Sequence, residues 1–590
     1  MRTMAIAMCA ALAAACGSTT SQQGGGGEGD PNIGKVVHDD HVTVPAPTAQ
    51  QKLDDIAETF YWAYMDANPA DAVDNGYHQY DGRLPNASPD ALAAYVAMLK
   101  KTKAGIESLP AAELTRTGQI EREVLLSEIR GELFDLETLR MPSRSPIGYM
   151  WSINVADYIA RDYAPLADRA QGIIGVCDGA GDYLSQAMEN LEPKIPRTWL
   201  GISLLQTNGL IEFINDDVAK EMKGLDEQTL AKLKASLGRC VNALSEYRDF
   251  LQERMKDATD DFALGEQLFL QMIRDKEGLD ISIERLDEIG KADLERNLAA
   301  MTAAAKQVNA KKPVAKVIAQ VARDKPKADK VLDLAREQSA TMRQFLIDEK
   351  IVTIPSEDVA EVRDSPPFMR WNFAFLSSAG AFEKKPLPSF YYISPPDPKW
   401  PKAEQKAYIP FRSDLLFTTI HELWPGHFLH ALHAKQNPSK VLKTFCSYAM
   451  SEGWAHYTEE MMLEAGVGAG DPKVQIGELT NALLRNARFV SAIGLHARGM
   501  TVDESIELFQ TKAFSDKGTA KQQAVRGTFD AGYLNYTLGK LMIRKLRDDW
   551  KAKVGDDYSL QAFHDEFLSY GCAPIPVIRN FMLENDTPAL

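Results

Sequence analysis

His421 and His427 lie six residues apart, separated by Glu422-Leu423-Trp424-Pro425-Gly426, and the Pro-Gly pair constrains how this stretch can fold. On a regular helix, six residues at roughly 100° each turn the second imidazole well away from the first. Pro425 cannot donate a backbone hydrogen bond and clashes with the preceding turn, so the helix must bulge or kink there; Gly426 tolerates the backbone that results. Without Pro425 and Gly426 the stretch reads His-Glu-Leu-Trp-His. In that i, i+4 spacing two imidazoles share one helical face and bind zinc, with a glutamate beside the first to deprotonate water. The pair therefore reads as a looped-out insertion that keeps both imidazoles convergent.

A lone His-Glu pair carries little weight, and a helical histidine is more often a core residue than a ligand. Here six of the ten histidines (His421, His427, His430, His433, His456 and His496) fall between residues 421 and 496. Glu452 and His456, in Glu452-Gly453-Trp454-Ala455-His456-Tyr457, also stand at i and i+4. They share one face of a second helix that can close the ligand set. The expected metal ligands are His421, His427 and Glu452, with Glu422 as general base and His456 orienting Glu452 or a substrate oxygen. Two imidazoles and a carboxylate with an open position favour zinc.

These paired motifs resemble those of the bacterial domain-of-unknown-function family 885, whose members are predicted zinc peptidases related to the thimet-oligopeptidase and Taq-type carboxypeptidase groups. Phe262 to Glu266, Gly278 to Gly290 and Thr528 to Gly539 also match that pattern, so the resemblance covers almost the whole mature chain. His430 and Ala492 depart from it, standing where the pattern has glutamine and aspartate. The resemblance implies a mainly α, zincin-like metallopeptidase fold and makes Tyr536 a donor to a developing oxyanion. It also implies a helical shell around a deep channel that admits short unstructured peptides.

Further site candidates follow from chemistry. Tyr533 and Tyr536, three apart, are expected on one helical face, and their protonated hydroxyls suit an oxyanion or a substrate. His496 is a candidate imidazole donor. Arg526 is a candidate grip for a peptide's terminal carboxylate. Arg485 and Arg488 have no motif support.

The N-terminus reads as an export signal: Arg2, a short apolar run from Met4 to Ala15, then Ala13-Ala14-Ala15-Cys16, which resembles a bacterial lipobox with Cys16 as the lipidated residue. A plain secretory signal is the alternative. Residues 17–48, with the run Gly24 to Gly27, read as a flexible tether. Residues 49–350 read as a helical shell and 351–590 as the metal-binding part, continuous with it. Phe390 to Ser394 and Tyr408 to Phe411 are aromatic, β-branched and bounded by proline. They read as short strands at a sheet edge near the metal helix, or as a crossover leading into it. Cys177, Cys240, Cys446 and Cys572 are dispersed without CxxC spacing, compatible with one or two disulfides or with buried thiols.

With 590 residues, 45% of them hydrophobic, the chain can bury a large core, and its net charge of −16 argues against nucleic acid as a partner. The expected partners are short peptides, with the membrane reached through a lipid anchor only. The expected function is zinc-dependent peptide hydrolysis. A metal-dependent amidase or esterase is one alternative, and a catalytically inactive helical lipoprotein binding module is another. Glu422 separates the last from the others, because a structural metal site needs no base.

Overall fold

Thr48 starts the first helix, Ala49–Ala67, by a capping box in which its hydroxyl accepts from the Gln51 N–H and the Gln51 side chain accepts from the Thr48 N–H. Leu53, Phe60 and Tyr64 form the buried stripe of that helix. Ser88 caps Pro89–Glu107 with its side chain alone, accepting from the Ala91 N–H, and Ile120, Val124 and Ile129 line the buried face of Arg116–Leu133. Such apolar stripes at helical spacing bury each helix against its neighbours and make the chain mainly helical. The computed structural model describes residues 46–366, 369–370 and 373–590. Cys16 and most of the expected tether lie outside them. One apolar core runs from Ala49 to Ala589, crossing residue 350 without a break. Among the described residues no helix is long and apolar enough to cross a membrane.

The three-stranded sheet found among these residues has the order β1 (Glu361–Asp364), β3 (Phe390–Ile393), β2 (Ala374–Ser377). β1 runs parallel to β3 with Val362 opposite Tyr391, and β2 runs antiparallel with Leu376 opposite Tyr391. The expected edge strand is thus the central one, and all four of its residues are buried. The second expected strand is not formed. Lys402–Tyr408 is a helix, since Lys-Ala-Glu-Gln-Lys-Ala are helix formers placed directly after Pro401, and Ile409 to Phe411 lead into the next helix. The flanking strands escaped notice because each is only four residues long and β1 exposes Glu361 and Arg363. The edge strand nearest the histidine motif is β2.

Cys446 and Cys572 form a disulfide, whereas Cys177 and Cys240 are buried free thiols. The disulfide lies beside Ser447, which caps the helix carrying Glu452.

Candidate metal centre

The Pro-Gly insertion does more than kink a helix. It ends one, Arg412–Glu422, and starts another at His427–Gln436. The Trp424–Pro425 bond is cis. The Gly426 N–H reaches back to the Ile420 carbonyl at 3.0 Å, and a β-carbon on Gly426 would lie 1.8 Å from the His421 carbonyl oxygen, so only glycine fits. The indole N–H of Trp454 donates to the Pro425 carbonyl at 2.9 Å, fixing the loop from the facing helix, Tyr448–Glu464. As a result the two imidazoles meet, with ring centroids 4.8 Å apart.

Glu452 projects from the facing helix between them. Its Oε2 lies 3.3 Å from His421 Nε2 and 3.2 Å from His427 Nε2, and it accepts no hydrogen bond although it is buried. The donor atoms of His421, His427 and Glu452 all fall within 4.8 Å of one another. A buried carboxylate oxygen left without a donor is costly in an ordinary core. Here it faces two ring nitrogens that, once deprotonated, turn their lone pairs to the same point, so the residues fit a divalent cation with two nitrogen ligands and one oxygen.

The opposite side of His421 explains its tautomer. His421 Nδ1 lies 2.7 Å from Glu459 Oε1 and 3.2 Å from Arg485 Nη2, and Arg485 Nη2 is 2.9 Å from the same Glu459 oxygen. A carboxylate cannot donate, so the short contact requires Nδ1–H to donate to Glu459, and Nε2 is the nitrogen turned toward Glu452. Burial and Arg485 oppose a proton on His421, yet the Glu452 and Glu459 carboxylates outweigh them and raise its pKa to about 9. The same surplus of negative charge favours a divalent cation, which competes with that proton. Burial opposes ionisation of Glu459 as well, but Arg485 and His456 hold it far below the usual carboxylate range.

His456 is fully buried and turns its Nδ1 toward Glu459 at 3.5 Å. Burial pushes its pKa down to about 3. The carboxylate it faces is Glu459, at i+3 on its own helix, rather than the expected Glu452. Sequence reasoning missed Glu459 and set Arg485 aside. The i+3 spacing of Glu459 from His456 was the available signal.

Glu422 sits beside the first ligand, and its Oε2 accepts the backbone N–H of Leu376 in β2 at 2.8 Å. Arg161, from the N-terminal half, donates to the carbonyls of Ser377 and Pro388 at 2.6 and 2.8 Å, bracing that strand end.

Tyr536 opens the helix Asn535–Val554, which crosses the Glu452 helix where Gly453 meets Gly539; a β-carbon on Gly453 would lie 2.4 Å from the Gly539 α-carbon. This close crossing brings the Tyr536 ring to 6.2 Å from the His421 ring. Burial and Glu452 raise the phenol's pKa, so the hydroxyl keeps its proton. Glu277 locks the crossing by accepting from Ser447 Oγ, the Ala449 N–H and Asn535 Nδ2 at 2.5, 3.1 and 2.9 Å.

Three other candidates are placed differently. Tyr533 lies in the 3-10 turn Ala531–Leu534, outside the Tyr536 helix, and its buried hydroxyl donates to Ser491 at 2.7 Å in the space left by Gly527. His496 is buried beside Phe262 and Phe269 and donates from Nε2 to the Gly527 carbonyl at 2.7 Å; burial lowers its pKa to about 4. Arg526 does lie near Tyr536, 5.8 Å from the ring. Its guanidinium is already engaged by Asp530 at 2.8 Å and Tyr448 at 3.1 Å, leaving its charge matched before any substrate arrives.

A family model described as "Bacterial protein of unknown function (DUF885)" matches residues 69–582. The chain belongs to this family. Its fold is similar to that of a candidate lipoprotein of unknown function from Shewanella oneidensis, at 24% identity and a TM-score of 0.76, covering 91% of this chain and all of that one. A candidate lipoprotein from Colwellia psychrerythraea is similar at 17% identity and a TM-score of 0.79, over 91% of this chain and 99% of the other. A comparison with curated proteins finds no match.

Proposed function

We propose that this DUF885 chain is a zinc-dependent peptidase acting on short peptides, with a zincin-like site built on a helical scaffold. The observation that carries the reading is the convergence of His421, His427 and the undonated Glu452 oxygen beside a glutamate that is not itself a ligand. Bound there, zinc supplies Lewis acidity toward a carbonyl and lowers the pKa of water to about 7. Glu422, with Oε2 held by Leu376, takes a proton from water on Oε1 and returns it to the leaving amine. Tyr536 keeps its proton and donates a hydrogen bond from its hydroxyl to the oxygen that becomes negative. Glu459 and Arg485 hold His421 in the tautomer that presents Nε2.

Metal analysis of the purified chain is expected to find about one zinc, largely lost in His421→Ala, His427→Ala and Glu452→Ala. Glu422→Gln should keep the metal while lowering kcat by about 100-fold or more. Full zinc in all three alanine variants, or near-normal hydrolysis by Glu422→Gln, overturns the assignment.

The lipobox-like run before Cys16 and the candidate-lipoprotein descriptions of the two similar structures support an exported protein anchored to a bacterial membrane. Cys16→Ser should move the full chain from the membrane fraction to the soluble one without changing its fold, because a single lipidated residue is the attachment proposed. Persistent membrane association contradicts the anchor.

A further inference from the structure

Three guanidinium groups surround the Tyr536 ring, from Arg485 at 5.7 Å, Arg488 at 4.7 Å and Arg526 at 5.8 Å. Two are neutralised, Arg485 by Glu459 and Arg526 by Asp530. Arg488 is not. It is more than nine-tenths buried, and its Nε donates to the neutral Gln523 amide oxygen at 2.7 Å. Among the described residues no carboxylate forms an ion pair with it, and the helix positions three and four residues on hold Ser491 and Ala492. A guanidinium taken out of water without a counter-ion is expensive, and stacking on a tyrosine face offsets only part of that cost. Such a group is stable in a site designed to receive an anion.

Its position limits what the anion can be. The Tyr536 ring lies 4.7 Å from the Arg488 guanidinium and 6.2 Å from the His421 ring. That span is no more than about three residues of extended chain at ~3.5 Å each. We propose that Arg488 binds the free C-terminal carboxylate of a peptide substrate, so that the enzyme removes one to three residues from the carboxyl end. The fork of Arg488 matches a carboxylate bidentately, and burial strengthens the pair. The role sequence reasoning gave to Arg526 thus passes to the neighbour whose charge is open. This inference rests on the peptidase reading for its substrate, but its binding step is measurable without turnover.

The probes are Ala-Ala-Phe as free acid, Ala-Ala-Phe amide and Ala-Asp-Ala amide, titrated calorimetrically into zinc-loaded Glu422→Gln protein. The free acid is expected to bind at least about tenfold more tightly than its amide. Arg488→Gln should bring that ratio close to one without weakening amide binding, and Arg488→Lys, which keeps the charge but not the fork, should fall between. Wild-type enzyme given a ten-residue peptide should release fragments of one to three residues from the C-terminus, read by mass spectrometry. Equal binding of acid and amide, or binding of neither, overturns the assignment whether or not Arg488→Gln folds. Ala-Asp-Ala amide binding as tightly as the free acid makes the anion a side chain and overturns the terminal one, as does cleavage in the middle of the ten-residue peptide. Retained acid preference with no hydrolysis by the wild type instead defeats the peptidase reading and leaves the carboxylate site standing.

Discussion

Two sides of the candidate centre are built on different terms. Behind His421, charges answer one another: Glu459 takes the imidazole N–H and Arg485 together, His456 faces the same carboxylate, and deeper still Lys540 pairs with Asp293 at 2.8 Å and with Glu460 at 3.3 Å. Around Tyr536 the match is incomplete, since Arg526 has Asp530 while Arg488 has no carboxylate among the described residues. There a buried Arg488 has only a neutral amide, and the Glu452 oxygen has no donor. The first side pairs its principal charges on folding and holds geometry, although Glu459 Oε2, Arg485 Nε and both His456 nitrogens keep no hydrogen-bond partner. The second leaves one positive group and one negative oxygen unmatched, and on the proposed reading these are where guests of opposite charge would bind.

The contrast breaks most readily on stability. Arg485→Met strands a buried Glu459 and should lower the unfolding free energy by about 3–5 kcal/mol. Arg488→Met removes a charge that has no partner and should leave stability unchanged or raise it. Urea unfolding of both variants decides the point, since equal destabilisation would mean that Arg488 has a counter-charge after all. A smaller effect sharpens the division between the two tyrosines. Tyr536→Phe should lower kcat by about 100-fold with little change in KM, because its hydrogen bond strengthens as the carbonyl oxygen gains charge. Tyr533→Phe should spare kcat and cost about 1 kcal/mol of stability, the value of its bond to Ser491. Steady-state kinetics with parallel denaturation separates them, and an unchanged kcat in Tyr536→Phe returns that ring to the core.

The converging groups of the candidate centre were legible because their chemistry is concentrated in two short stretches of sequence. His421, Glu422 and His427 are adjacent in the chain, and Glu452 announces itself by its spacing from His456. The depth of the break at Pro425-Gly426 was not legible, since a kink and a change of helix share the same residues, and only the contact of Gly426 with the His421 carbonyl distinguishes them. Arg485 and Arg488 could not be told apart from sequence. They stand three residues apart on one helix, and what differs is a carboxylate 26 residues upstream of Arg485, delivered by another helix. The pairing of Arg526 was legible, since Asp530 stands at i+4, a spacing that makes a local pair available before any ligand. The helical majority was readable from its apolar stripes, whereas the sheet depended on partners for β3 that both lie upstream of the prolines before it and are too short to show a period.

The grip on Glu422 comes from the main chain, and this changes where its history can be written. An amide N–H is supplied by nineteen of the twenty residue types, so the identity of the residue at 376 drifts freely as far as this contact is concerned, and alanine scanning passes over it in silence. Proline alone erases it. What must be inherited is the path of the strand, and that path is guarded by Arg161, more than two hundred residues upstream. Divergence among relatives should therefore spare the guard and the course of the backbone while rewriting the side chain that stands nearest the chemistry.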